Sequence, residues 1–179
     1  ERLETGELTR EQVMLGRFHE FFESEGLPTD QVKVFNDEYQ IRLGDKAFFC
    51  DRGDELVKQL KSAVKQYAVT NGTTVAQERK LRLSGLDQLL DGVFISEQVG
   101  VDKPQKAFFD AVWNEIGSYA PDEVVIVGDS LTSDIRGGKN AGILTCWYNP
   151  DHLPNKIEVT PDCTIDNLQD ILSYLDESR

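Results

Sequence analysis

Apolar residues fall into two rhythms along the chain. Over the first forty-odd positions they recur at helical spacing, with Val13, Phe18, Phe21 and Phe22 following the capping-box pattern Thr9-Arg-Glu-Gln12. Gly26 and Pro28 stop that helix. A second run puts Val32, Phe35, Tyr39 and Leu43 on one face before Gly44-Asp45-Lys46 closes it. Two amphipathic helices in antiparallel contact are the simplest reading. From residue 48 the rhythm alternates. Helices are predicted around Gly53–Ser62, Val75–Leu83, Pro104–Ile116, Leu131–Asn140 and Leu168–Leu175. Between them stand the short apolar segments Ala63–Thr70, Gly92–Ser96, Glu123–Gly128, Ile143–Tyr148 and Thr164-Ile165. Strands alternating with helices of about ten residues imply right-handed crossovers and a Rossmann-like α/β fold, its parallel sheet covered by helices on both faces.

In such a sheet, ligands bind beyond the carboxyl ends of the strands. That rule selects Thr70-Asn71-Gly72 and Gly128-Asp129-Ser130. At the first, a hydroxyl and successive backbone N–H groups can cradle an anion at a strand-to-helix turn. Asn-Gly also suits a hairpin, but the residues after it, Val75 to Leu83, are helical in pattern. At the second, Asp129 ends a strand, Ser130 can cap the next helix, and Asp134 falls in its first turn. Two such carboxylates suit Mg²⁺, with waters and a phosphate completing an octahedron. Alternatively, Asp134 complements the helix dipole and Asp129 merely ends the strand. Lys103 precedes Pro104, which holds it out of the helical region and lets Pro104 begin a helix. A lysine there can project toward phosphate oxygens or carboxylates, although most lysines are solvated. The order Thr70, Lys103, Asp129, Asp134, each on its own strand–helix step, is the strong signal. Trp147 and Asn149 lie near another strand end, where packing explains Trp147 as well as a cleft does.

Composition narrows the partners. The 179 residues hold 32 acidic and 19 basic side chains, a formal charge of −13. That charge disfavours long nucleic acid and anionic membranes, while a small phosphorylated substrate remains compatible because local cations can reverse the field in one cleft. No apolar run reaches membrane-spanning length. Cys50, Cys146 and Cys163 are an odd set without C-x-x-C spacing, read as reduced thiols of a cytoplasmic protein. No pattern fixes an oligomeric state.

With those residues in place, the chain resembles the haloacid dehalogenase-like (HAD) phosphohydrolases. Thr70-Asn71-Gly72 looks like the family's second motif, Lys103-Pro104 its third and Gly128-Asp129-Ser130-Leu-Thr-Ser-Asp134 its fourth. Ala68–Gly72, Arg82–Leu86, Phe94–Glu97 and Thr145–Pro150 look most like the bacterial pyrimidine-nucleotide 5′-nucleotidases. The resemblance implies a HAD-like core over 48–179 and the C-terminal part of a helical cap over 1–47. It also implies Mg²⁺-dependent hydrolysis of a phosphate monoester through an aspartyl-phosphate. Asp129 and Asp134 would serve the metal, with Asp134 equally able to position Lys103. Thr70, Asn71 and Gly72 would hold the phosphoryl group, and Lys103 would neutralise charge on nucleophile and phosphate.

One departure is large. The family's first motif, an apolar strand ending Asp-x-Asp, is absent, and Asp51-Arg-Gly-Asp54 has the wrong spacing. The expectation is that the nucleophile lies upstream of Glu1, on a strand between those ending at Thr70 and Gly128, and that this chain alone is inactive. A 2-haloacid dehalogenase, a phosphomutase and a non-catalytic remnant are the rival readings.

Overall fold

A computed structural model describes residues 7–117 and 119–177. Thr9 caps the first helix, α1 (Arg10–Ser24), through a reciprocal capping box with Gln12. Helix α2 (Val32–Leu43) packs on it through an aromatic cluster, with Phe18 5.0 Å from Phe35 and 5.1 Å from Tyr39, and Phe22 5.3 Å from Phe35. Of the expected apolar stripe of α2, only Val32 is fully buried. Phe35, Tyr39 and Leu43 remain partly open, whereas Val32, Asn36 and Gln40 are buried. The inward face is polar because Gln40 meets another polar group, accepting a hydrogen bond from the Thr73 hydroxyl at 3.0 Å.

The remainder alternates as expected. Helix α3 (Gly53–Leu60) leads to β1 (Tyr67–Thr70), α4 (Thr74–Ser84) and β2 (Gly92–Ile95). A one-turn helix that the pattern did not predict, α5 (Ser96–Val99), follows, then α6 (Lys106–Ile116) and β3 (Val125–Gly128). A π-helical turn (Leu131–Ile135) runs into α7 (Arg136–Ala141), and β4 (Leu144–Tyr148), β5 (Cys163–Ile165) and α8 (Ile171–Glu177) finish the chain. All strand pairs are parallel. The helix expected at Pro104 begins two residues later. Residues 102–105 instead form a turn, Gln105 N–H to the Asp102 carbonyl, and Asn140 claims the Pro104 carbonyl at 2.8 Å.

Two apolar clusters sandwich the strands. On one face Leu56 of α3 and Ile171 of α8 pack against Cys146 and Ile165, with Val125 joining them. On the other, Phe108, Phe109 and Val112 of α6 pack against Ile126, with Val69 and Phe94 beside them. Adjacent β3 residues therefore serve opposite faces, as alternation in a covered sheet requires. Gly138 lets α7 close on the strands, since a Cβ there would collide with Ile126 and Thr145.

The strands nevertheless form two sheets, β1–β2 and β3–β4–β5. Helix α6 underlies both through Val69, Phe94 and Ile126. Among the described residues, β1 pairs only with β2 and β3 only with β4, so each keeps one open edge. Val127, in mid-strand, is 38% exposed.

The cysteine reading is corrected. Cys146 and Cys163 are direct partners in the β4–β5 register and form a disulfide, leaving only Cys50 free. Sequence separation of 17 hid a pairing that strand register creates. The cytoplasmic expectation loses that support. Among the described residues, no helix is long and apolar enough to cross a membrane.

Candidate active site

The site is built where β1 and β3 end. At the end of β1, Thr70 stands partly buried, and its hydroxyl makes no hydrogen bond with any described residue. Asn71 then turns its amide toward Lys103. It accepts from the Lys103 N–H at 2.9 Å and donates to the Lys103 carbonyl at 2.9 Å, so two strand-end loops are locked together. Gly72 spends its N–H on the Ser96 hydroxyl at 3.2 Å. Gly72 thus braces the loop, and the Asn71 side chain clamps it.

Lys103 is only 4% exposed. Its ammonium donates to the Val69 carbonyl and to Asp134 Oδ1, both at 2.6 Å. One charge thus bridges the end of β1 and the turn after β3. The other Asp134 oxygen accepts from the Ser130 N–H at 3.1 Å, so both oxygens are engaged by protein donors. Gly128 makes this possible, because a Cβ there would overlap the Asp134 carboxylate. Ser130 caps the turn by accepting from the Ser133 N–H at 3.1 Å.

Asp129 is treated differently. Its carbonyl is held by the Trp147 indole N–H at 3.0 Å, but its exposed carboxylate bonds to none of the described residues. Trp147 is 7% exposed and pairs with Gly128 in the ladder, so its indole braces the loop. Asn149 is buried and closes a local turn with Leu153.

Thr70, Lys103 and Asp134 thus gather at the strand ends with Asp129 in the same turn. Among the described residues, no group of three or more His, Cys, Asp or Glu is poised to hold a metal. One open carboxylate still fits Mg²⁺, which commonly takes one or two protein carboxylates and completes its shell with waters and phosphate oxygens. Asp51 is occupied elsewhere, accepting from the Tyr148 hydroxyl at 2.8 Å and the Leu168 N–H at 3.2 Å. That hydrogen bond, with burial and the Asp51 charge, pushes the Tyr148 hydroxyl up to about 12. Asp54 pairs with Lys58 at 2.8 Å.

Sequence reasoning missed Arg10, Ser96 and Asp102. Arg10 meets partners 62 to 92 positions away, and no local pattern marks it.

The chain belongs to the haloacid dehalogenase-like hydrolase family, which residues 4–142 match. It is similar to the HAD-hydrolase YfnB of Bacillus subtilis, 35% identical over 96% of this chain and 73% of that protein. It is also similar to the pyrimidine 5′-nucleotidase PynA of Streptococcus pneumoniae, 34% identical over 98% of this chain and 74% of that one. A crystal structure of YfnB bound to magnesium superposes with a TM-score of 0.90 at 34% identity, covering 98% of this chain and 76% of YfnB.

Proposed function

We propose that the intact protein is a Mg²⁺-dependent phosphate-monoester hydrolase acting on a nucleotide 5′-monophosphate or a similar small phosphometabolite. The observation that carries this reading is the Lys103 ammonium, fixed between β1 and the Gly128–Asp134 turn, while Thr70 at the end of β1 and Asp129 after β3 keep side chains without a hydrogen bond to any described residue. PynA, and YjjG of Escherichia coli at 31% identity, are named pyrimidine 5′-nucleotidases, which supports the substrate class.

The Thr70 hydroxyl and Asn71 backbone would hold phosphoryl oxygens. Lys103 would offset charge as it accumulates on nucleophile and phosphoryl group, from a position that needs no reorganisation. Asp134 holds Lys103 in place. Asp129 would bind Mg²⁺ directly, and the ion would reduce repulsion between an anionic nucleophile and the phosphate. We assign the nucleophile to an aspartate upstream of Glu1, on a strand that fills the open edges of β1 and β3. Its carboxylate oxygen would bond to phosphorus as the ester P–O bond breaks, and the leaving oxygen would take a proton from the second carboxyl group of the upstream Asp-x-Asp pair. Water then hydrolyses the aspartyl-phosphate. Helices α1 and α2, within residues 1–47, act as part of a cap over the core at 48–179.

Dehalogenation is the rival, since the 2-haloacid dehalogenase of Pseudomonas syringae shares the fold at a TM-score of 0.70 and 23% identity. The open Asp129 carboxylate favours phosphate, because metal-free dehalogenation has no use for it. Phosphate release from nucleoside 5′-monophosphates, assayed with Mg²⁺ and with excess EDTA, tests the reading. We expect turnover only with metal and only once the upstream segment is present. Halide release from 2-haloacids, or full activity from residues 1–179 alone, would overturn it.

A further inference from the structure

We propose that Arg10 is a positioning residue, which from the first turn of α1 fixes the loop after β1 and the approach to Lys103. This rests on reading the cleft as a phosphoryl site. Arg10 Nη1 donates to the Gly72 carbonyl at 2.5 Å, and Nη2 donates to the Ser96 hydroxyl at 2.5 Å and pairs with Asp102. The same Ser96 oxygen accepts the Gly72 N–H. The peptide groups on both sides of Gly72 are thereby held, one directly by Arg10 and one through Ser96.

Asp102 extends the effect. It immediately precedes Lys103, whose backbone is clamped by Asn71, itself the neighbour of Gly72. Arg10 and Asn71 therefore close a ring: Arg10 to Gly72, along the chain to Asn71, across to Lys103, back to Asp102, and to Arg10 again. The side chains of Arg10 and Asp102 are 20% and 11% exposed, so solvent does little to weaken the pair. Displacing α1 would withdraw a cation from Asp102 and release the Gly72 carbonyl together. Seating of the helical pair and geometry of the phosphate cradle are one equilibrium.

Arginine is required because its planar fork presents two nitrogens to acceptors on different loops. A lysine retains the charge but offers one nitrogen. Arg10→Lys therefore separates charge from geometry, and Ser96→Ala removes the acceptor shared by Arg10 and Gly72. The primary readout is amide hydrogen exchange at residues 71–73 and 102–103 in the substrate-free full chain. Exchange at these amides should quicken about tenfold or more in Arg10→Lys, as expected when a charge-assisted hydrogen bond is lost. Ser96→Ala should reproduce the effect at residue 72. In the intact protein, kcat for phosphate release should fall by about tenfold, with KM less affected and the melting temperature nearly unchanged.

Wild-type exchange rates at residues 71–73 in a folded Arg10→Lys variant would overturn the proposal. So would a kcat loss matched throughout by lost thermal stability. If the wild-type protein releases no phosphate, the functional reading fails. The exchange measurement still decides whether Arg10 sets these loops.

Discussion

Lys103 and Asp129 stand at the same end of the strands and are held in opposite ways. Lys103 is buried, bonded to the Val69 carbonyl and paired with Asp134. Asp129 presents an exposed carboxylate with no bond to the described residues. A buried charge and its partner depend on each other, since removing one leaves the other desolvated and alone. An exposed carboxylate without a partner has nothing to leave behind. Stability and the proposed chemistry are therefore superimposed at Lys103 and separable at Asp129.

The largest expected effect breaks the buried side of this contrast. Lys103→Met should destabilise the fold by about 3–5 kcal/mol in urea unfolding, because Asp134 loses its counter-charge. It should also abolish phosphate release by the intact protein. Adding Asp134→Leu should recover part of the stability and none of the activity. Next comes Asp129→Asn, which should lower turnover by about 10²–10³-fold, the scale of one lost electrostatic stabiliser of the transition state, here the carboxylate that would hold Mg²⁺. Its unfolding free energy should stay within about 0.5 kcal/mol of wild type. Thr70→Val sharpens the comparison further, with about a tenfold loss in kcat/KM expected for one missing hydrogen bond.

The smallest effect lies in acid stability, away from the cleft. Burial pushes the Asp162 carboxyl up, but hydrogen bonds from Lys139 and from the side chain and backbone of Thr145 outweigh it and hold the group below its usual value near 3.8. A depressed folded value means that the stabilisation is complete above about pH 4. It is lost as pH falls through the folded value, when the carboxylate protonates. Asp162→Asn should flatten that acid limb in thermal melts between pH 5 and 2.

Much of this was legible in the sequence because it obeys local rules. The capping box at Thr9, the alternation of short strands with helices and the residues at strand ends all follow from spacing. The order Thr70, Lys103, Asp129, Asp134 falls at strand ends because a parallel sheet brings successive strand ends to one edge. What failed depends on contacts between distant segments. The apolar stripe of α2 marked its contact with α1 but not its most buried positions, because Gln40 turns inward to Thr73. The Cys146–Cys163 pairing follows from β4–β5 register, and Arg10 from a docking of α1 that no periodicity encodes. Asp134 carried the right address, but its two oxygens are engaged by Lys103 and Ser130, a division that spacing alone left open.

The central claim is that Thr70, Lys103 and Asp129 act together on a magnesium-bound phosphoryl ester. The most direct measurement is phosphate release from a nucleoside 5′-monophosphate by the intact wild-type and Asp129→Asn proteins across a Mg²⁺ titration ending in excess EDTA. Wild-type turnover should rise with Mg²⁺ and vanish with chelator, while the variant stays folded and nearly silent throughout. Equal turnover by the two proteins, or wild-type activity undiminished in EDTA, would contradict the account.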